Sequence, residues 1–154
     1  MKEYLELYKE KDNRYYTIHR PNPPLWNLNY FLENDYSFHK KDMFLNKLNF
    51  YNVTYVYNDF KNKFMYVGFS EWSVNEDVES PDEENFSQYV NETNSCKITI
   101  DNFKEFVEKW LVLKKEYNFP FLLMYRDDND WVDCKGFQTE KEMELFVKND
   151  SNNN

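Results

Sequence analysis

Alanine is absent from the 154 residues, and glycine occurs only at Gly68 and Gly136. Two isolated glycines cannot build the glycine-rich loop that cradles a phosphate, so nucleotide-binding motifs are excluded. Cysteine is as scarce. Cys96 and Cys134 have no CxxC-type spacing, which argues against a disulfide scaffold or a structural zinc site and fits a reducing compartment. No stretch approaches the ~18 apolar residues of a membrane span, and the opening "MKEYLELYKEKDNRYY" lacks the apolar core of a signal peptide. These absences point to a soluble, cytoplasmic protein. The length suits one domain, expected over residues 1–150, with 151–154 as a disordered tail. A chain of this size buries roughly 70% of the surface its unfolded form exposes, so no metal, disulfide or cofactor is expected.

What is present is unusual in two ways. Asn, Lys, Tyr and Phe are in excess and aromatics make up 20% of the chain. Those residue types share AT-rich codons, so an aromatic ring is not by itself a sign of a ligand platform. The second feature is acidity, with 28 Asp plus Glu against 19 Lys plus Arg and a net charge of −9. Such a surface repels nucleic acid and anionic membranes and steers basic partners toward it. The charge is also segregated. Residues 1–67 carry ten bases and eight acids, whereas residues 68–96 carry eight acids and no base. A second acidic block lies beyond residue 119, with eight acids against four bases.

Along the chain, "YLELY" and "RYYTIH" alternate like strands, separated by the turn-like "KEKDN". "RPNPPLWN" is expected to break regular structure through its three prolines, and residues 28–50 are ambiguous between helix and irregular chain. "YNVTYVY" and "KFMYVGFSEW" read as a hairpin around "NDFKN", followed by a long acidic loop from Ser73 to Ser95. Phe103, Phe106, Val107, Trp110, Leu113 and Tyr117 recur at helical spacing and predict the longest helix, which Thr99 or Asp101 could cap and Pro120 stops. "FLLMY" is apolar on both faces, as a covered central strand should be. "RDDND" turns the chain, "WVDCKGF" returns it, and Thr139 with Glu142 forms a capping box for a short final helix. The expected class is α+β: an antiparallel sheet with one long and one or more short helices packed against it.

The stretch "YRDDNDWVDCKGF" invites a chemical reading, because four aspartates fall within seven positions. An EF-hand loop needs glycine at its sixth position and glutamate at its twelfth. Counted from Asp128, those places hold Asp133 and Thr139, and counting from Asp127 is no better. Pro81-Asp82 with Asp133-Cys134-Lys135 echoes a metal-dependent nuclease, in which carboxylates hold the metal and lysine stabilises phosphate charge. The gap between them is long, nothing basic lies nearby to hold a polyanion, and a surface ion pair explains the second half as well. His19 and His39 have no companion nucleophile. A carbohydrate-binding module would use Trp26 beside the prolines or Trp72 at a strand end, since Trp110 is on the helix's core face and Trp131 belongs to the hairpin.

The reading with most support is a docking surface for a basic protein. Asp127, Asp128 and Asp130 would project together from a tight turn, and the loop holding Glu76, Asp77, Glu79, Asp82, Glu83 and Glu84 offers a second block. "ITIDNFKEFVEKWLVL" followed by "FLLMYRDDNDWVDCKGF" resembles the small bacterial immunity proteins of polymorphic, contact-dependent growth inhibition toxin systems. The resemblance rests on Asn102, Phe103, Trp110 and Asp127 to Trp131, within residues 97–137. It implies a cytoplasmic, non-enzymatic toxin inhibitor that binds and blocks one cognate toxin domain, often a nuclease. The toxin-contacting residues of that family are not a shared motif, so none is carried over to this chain.

Overall fold

The computed structural model describes residues 1–18, 22–115 and 118–150, together with the backbone of 151 and 152. His19, Pro21, Tyr117 and the last two residues of the expected tail lie outside the described residues. In chain order the elements are β1 (Glu3–Lys9), β2 (Tyr15–Thr17), α1 (Leu25–Asn34), α2 (Tyr36–His39), β3 (Leu48–Phe50), β4 (Thr54–Asp59), β5 (Phe64–Phe69), α3 (Phe86–Tyr89), β6 (Ser95–Thr99), α4 (Ile100–Lys115), β7 (Phe121–Arg126), β8 (Val132–Phe137) and α5 (Glu140–Asn152). The class is α+β, as expected. The strands, however, form two antiparallel sheets of four rather than one, ordered β2-β1-β7-β8 and β3-β4-β5-β6. Each sheet belongs to its own compact unit: Met1–Pro23 with Asp101–Asn154, and Pro24–Ile100. Among the described residues no helix is long and apolar enough to cross a membrane.

In the first unit β7 lies between β1 and β8, which is why "FLLMY" is apolar on both faces. One face aligns Leu5 with Met124 and Cys134, and Leu7 with Leu122. The other face buries Leu123 and Phe137 against Met143 and Val147 of α5. Helix α4 buries Phe103, Phe106, Val107 and Trp110, the stripe read from their spacing. Asn102 pins its first turn: the side-chain amide donates to the Val132 carbonyl and its oxygen accepts from the Val132 N–H, both at 2.8 Å. Thr139 caps α5, accepting from the Glu142 N–H at 3.2 Å, and the helix is longer than expected.

In the second unit α1 packs across β5 and β6. Leu25, Leu28, Phe31 and Leu32 are buried, and Trp26 and Tyr30 meet the Phe69 ring. As expected, Asn22 to Pro24 lie outside regular structure, but the break ends early: Pro24 is the N-cap of α1, where a missing N–H costs nothing, and Leu25 to Asn27 already belong to the helix. The part of 28–50 that was ambiguous resolves into α1, α2 and β3. The hairpin of β4 and β5 forms as expected, with Tyr55 opposite Gly68. A Cβ at Gly68 would overlap the Tyr55 ring, so the glycine is the seat of that tyrosine.

Candidate partner interface

The acidic segment after β5 is a long loop, as expected, but it is a strap pinned to the sheet through two 3₁₀ turns and the short helix α3. A 3₁₀ turn over Glu71–Ser73 turns Trp72 inward, with Ser73 Oγ donating to the Ser70 carbonyl at 2.6 Å. A second 3₁₀ turn, Glu83–Asn85, leads into α3 and buries Phe86 completely. Trp72, Phe86, Tyr89 and Val90 pack on the face of the sheet that presents Tyr55, Tyr57 and Tyr66. Ring centroids lie 4.9 Å apart for Tyr55 and Phe86, 5.5 Å for Phe50 and Phe86, and 5.9 Å for Tyr55 and Trp72. Burial inside this cluster pushes the Tyr55 hydroxyl well above its usual range, with the neighbouring Tyr89 adding to the effect. Fully burying one such ring is worth about 1.5–3 kcal/mol, so several anchors suffice to hold the strap.

With the rings turned in, the acids point out. Glu76, Asp77, Glu79, Asp82, Glu83 and Glu84 are all exposed. None forms an ion pair or a side-chain hydrogen bond among the described residues. Only at the far end of the segment is an acid matched, where Glu92 meets Lys97 at 3.4 Å. The strap thus carries six acids between and beside its anchors at Trp72 and Phe86, with no ion pair to them among the described residues. The aromatic anchors were missed in the sequence. Their signal is three bulky rings, at 72, 86 and 89, inside a run otherwise too polar to bury.

The turn between β7 and β8 has the opposite character. Asp127 Oδ1 accepts from the N–H groups of Asn129 at 2.8 Å and Trp131 at 3.0 Å, so this carboxylate closes the turn. Asp130 takes the left-handed conformation at φ 64°. Its carboxylate meets Lys2 Nζ at 2.7 Å and its carbonyl accepts from Arg126. Asp128 meets the Met1 amine at 2.9 Å, and Asp150 approaches the same amine at 3.0 Å. The three aspartates do lie together, but their charge is taken up by Met1 and Lys2, just before β1, and by the turn itself.

The nuclease-like set is divided between the two units. Asp82 is on the strap of the second unit, whereas Asp133 and Lys135 are on β8 of the first. Asp133 pairs with Lys109 at 2.6 Å and accepts from its neighbour's N–H on Cys134. Burial lowers the Lys109 pKa, but the Asp133 hydrogen bond and charge outweigh it and the net shift is upward. Lys135 sits over the rings of Phe137 and Phe146. Cys134 is buried and its thiol is pushed up to about 12 by burial, with Asp133 adding to this and Lys109 opposing it. His39 stacks on Tyr51, centroids 4.2 Å apart, with Asp42 at 3.6 Å from Nδ1. Trp26 stacks on Tyr30 at 4.7 Å, and Trp72 is an anchor of the strap. Among the described residues no three His, Cys, Asp or Glu side chains converge to hold a metal ion.

Comparison with family profiles, curated proteins and solved structures finds no match to this chain.

Proposed function

We propose that this chain is a cytoplasmic immunity protein that binds a basic toxin domain, of the nuclease type, and blocks it by covering its cationic surface with the acidic strap. The observation that carries the reading is the strap's six exposed carboxylates, which are flanked by buried rings and form no ion pair among the described residues. A nuclease must present a cationic groove to its phosphate substrate, and such a groove is the complement of this strap. Opposed potentials of this kind speed encounter and select the partner. The turn aspartates take a secondary part, because a partner would have to displace Lys2 from Asp130 to use that charge.

The test has two steps. Co-expression with basic toxin domains encoded beside this chain identifies the one from whose action it protects cells. Titration calorimetry on the purified pair then compares the wild type with a strap variant carrying Glu76→Gln, Asp77→Asn, Glu79→Gln, Asp82→Asn, Glu83→Gln and Glu84→Gln. The variant is expected to bind more weakly and with a flatter salt dependence. Unchanged affinity and salt dependence would remove the strap from the interface.

A further inference from the structure

The two sheets treat their outer strands differently. On β8, which ends the first unit's sheet, side chains close the outward backbone at Val132 and Cys134. Asn102 takes both the N–H and the C=O of Val132, and the Asp133 carboxylate accepts from the Cys134 N–H at 2.8 Å. Closing an outer strand in this way denies its backbone to other chains. β3 ends the second unit's sheet and carries no such closure. Its ladder with β4 is framed by the Asn58 N–H donating to the Lys47 carbonyl at 2.7 Å and the Tyr51 N–H donating to the Thr54 carbonyl at 2.9 Å. Bonded and non-bonded pairs alternate along an antiparallel ladder, so Leu48 and Phe50 turn their N–H and C=O groups away from β4. Among the described residues nothing hydrogen-bonds to those groups.

The open edge runs beside the acidic strap. Alternate side chains of a strand share a face, and Leu48 and Phe50 share theirs with Tyr55 and Tyr57, the face on which the strap is pinned. The Phe50 ring is 38% exposed and meets Trp72 at 5.9 Å and Phe86 at 5.5 Å between centroids, edge-on in both cases. Glu71 precedes Trp72, and Glu83 and Glu84 lead into Phe86, so exposed carboxylates flank the two rings that Phe50 touches. Lys47, at the start of the edge, lies over the Tyr57 ring, 5.7 Å from its centroid, with Asp59 within reach of its charge.

We infer that β3 is the docking edge for an extended segment of a basic protein, which adds a strand to the second unit's sheet with its Lys or Arg side chains on the strap face. Pairing with the N–H and C=O groups of Leu48 and Phe50 supplies affinity, and the alternation of side chains along the added strand supplies selectivity. A cationic side chain on that face reaches the strap carboxylates with its head and the Phe50 ring with its stem. Charge selects this occupant over a second copy of the chain, because antiparallel pairing of two β3 edges preserves the faces and sets strap beside strap. An acidic segment is disfavoured in the same way. The inference deepens the function proposed above and rests on it for the partner's charge, whereas the open edge is a property of the fold itself.

Amide hydrogen exchange read by NMR on the intact chain tests it, with a short end-blocked peptide of alternating lysine and valine as the probe. In excess peptide the Leu48 and Phe50 amides are expected to exchange about ten-fold more slowly. A peptide of alternating glutamate and valine should give no protection. Phe50→Lys keeps the backbone groups but sets a cation on the edge, and it should weaken the lysine peptide about five-fold. Leu48→Pro deletes an outward donor while leaving the β4 ladder in place, and it should weaken binding as well. The neutralised strap variant should bind the lysine peptide more weakly and with a flatter salt dependence, yet still protect Leu48 and Phe50 when loaded. Unprotected Leu48 and Phe50 amides, equal protection by the glutamate peptide, or dimerisation of the chain through β3 would overturn the assignment. Those outcomes leave the toxin reading standing wherever co-expression protects cells, whereas a protected edge with no protective pairing would remove the toxin and keep the edge.

Discussion

Replacing Asn102 by alanine tests how the first unit is held together. Asn102 and Val132 are both 1% exposed, and one side-chain amide satisfies both the N–H and the C=O of Val132. Alanine would leave two backbone groups buried without partners, each costing about 1–3 kcal/mol. Alanine also favours a helix interior by about 0.5 kcal/mol, which offsets a little of this. The expected net loss is about 2–4 kcal/mol, a large share of the ~5–15 kcal/mol typical of a folded domain. Urea unfolding followed by tryptophan fluorescence reads it as a lower midpoint with an unchanged slope. Asn102→Asp gives a second arm. It keeps an acceptor for the Val132 N–H but sets a carboxylate against the Val132 carbonyl, so its deficit should shrink as acid protonates it. A loss below about 1 kcal/mol for Asn102→Ala would refute the view that this bond pair fixes α4 to the edge strand.

Other consequences follow from the same structure. Gly68→Ala should destabilise by about 1–3 kcal/mol, because its methyl group would occupy the place of the Tyr55 ring; thermal unfolding checks this. Phe86→Ala should cost about 3–5 kcal/mol and expose the strap to limited proteolysis, whereas neutralising the strap acids should change stability by less than about 1 kcal/mol. The Cys134 thiol, raised from 9.0 to about 12, stays protonated in the fold while the unfolded thiol ionises. Its contribution to stability is therefore complete below pH 9 and is lost as pH rises toward 12, and a Cys134→Val variant should show a shallower alkaline decline in unfolding midpoint. For the same reason Cys134 should resist thiol reagents at pH 8 until the chain is unfolded.

Elements built from local patterns were legible in the sequence. The stripe of Phe103, Phe106, Val107 and Trp110 marks α4 without outside help, and the doubly apolar β7 announces its central place. The start of α1 was obscured because prolines at 23 and 24 signal a break, yet the spacing of Leu25, Leu28 and Leu32 already carried its buried face. The presence of two sheets was not legible, since strand pairing between β1 and β7 joins residues from opposite ends of the chain. The acidic turn shows the same limit at the site: its counter-charges, Met1 and Lys2, come from the far end of the sequence. Asn102, one of the residues on which the resemblance rests, is a structural clamp on Val132. The strap's acids were visible as composition; the rings that anchor the strap pair only in three dimensions.

The central claim is that charge on the strap, rather than on the turn, recognises the partner. Affinity for the cognate toxin domain, measured over a series of salt concentrations, tests it most directly by comparing the strap variant with an Asp128→Asn/Asp130→Asn variant. A much flatter salt dependence and weaker binding for the strap variant, with little change for the turn variant, is the predicted result. The reverse order, or identical salt dependence in all three proteins, would contradict it.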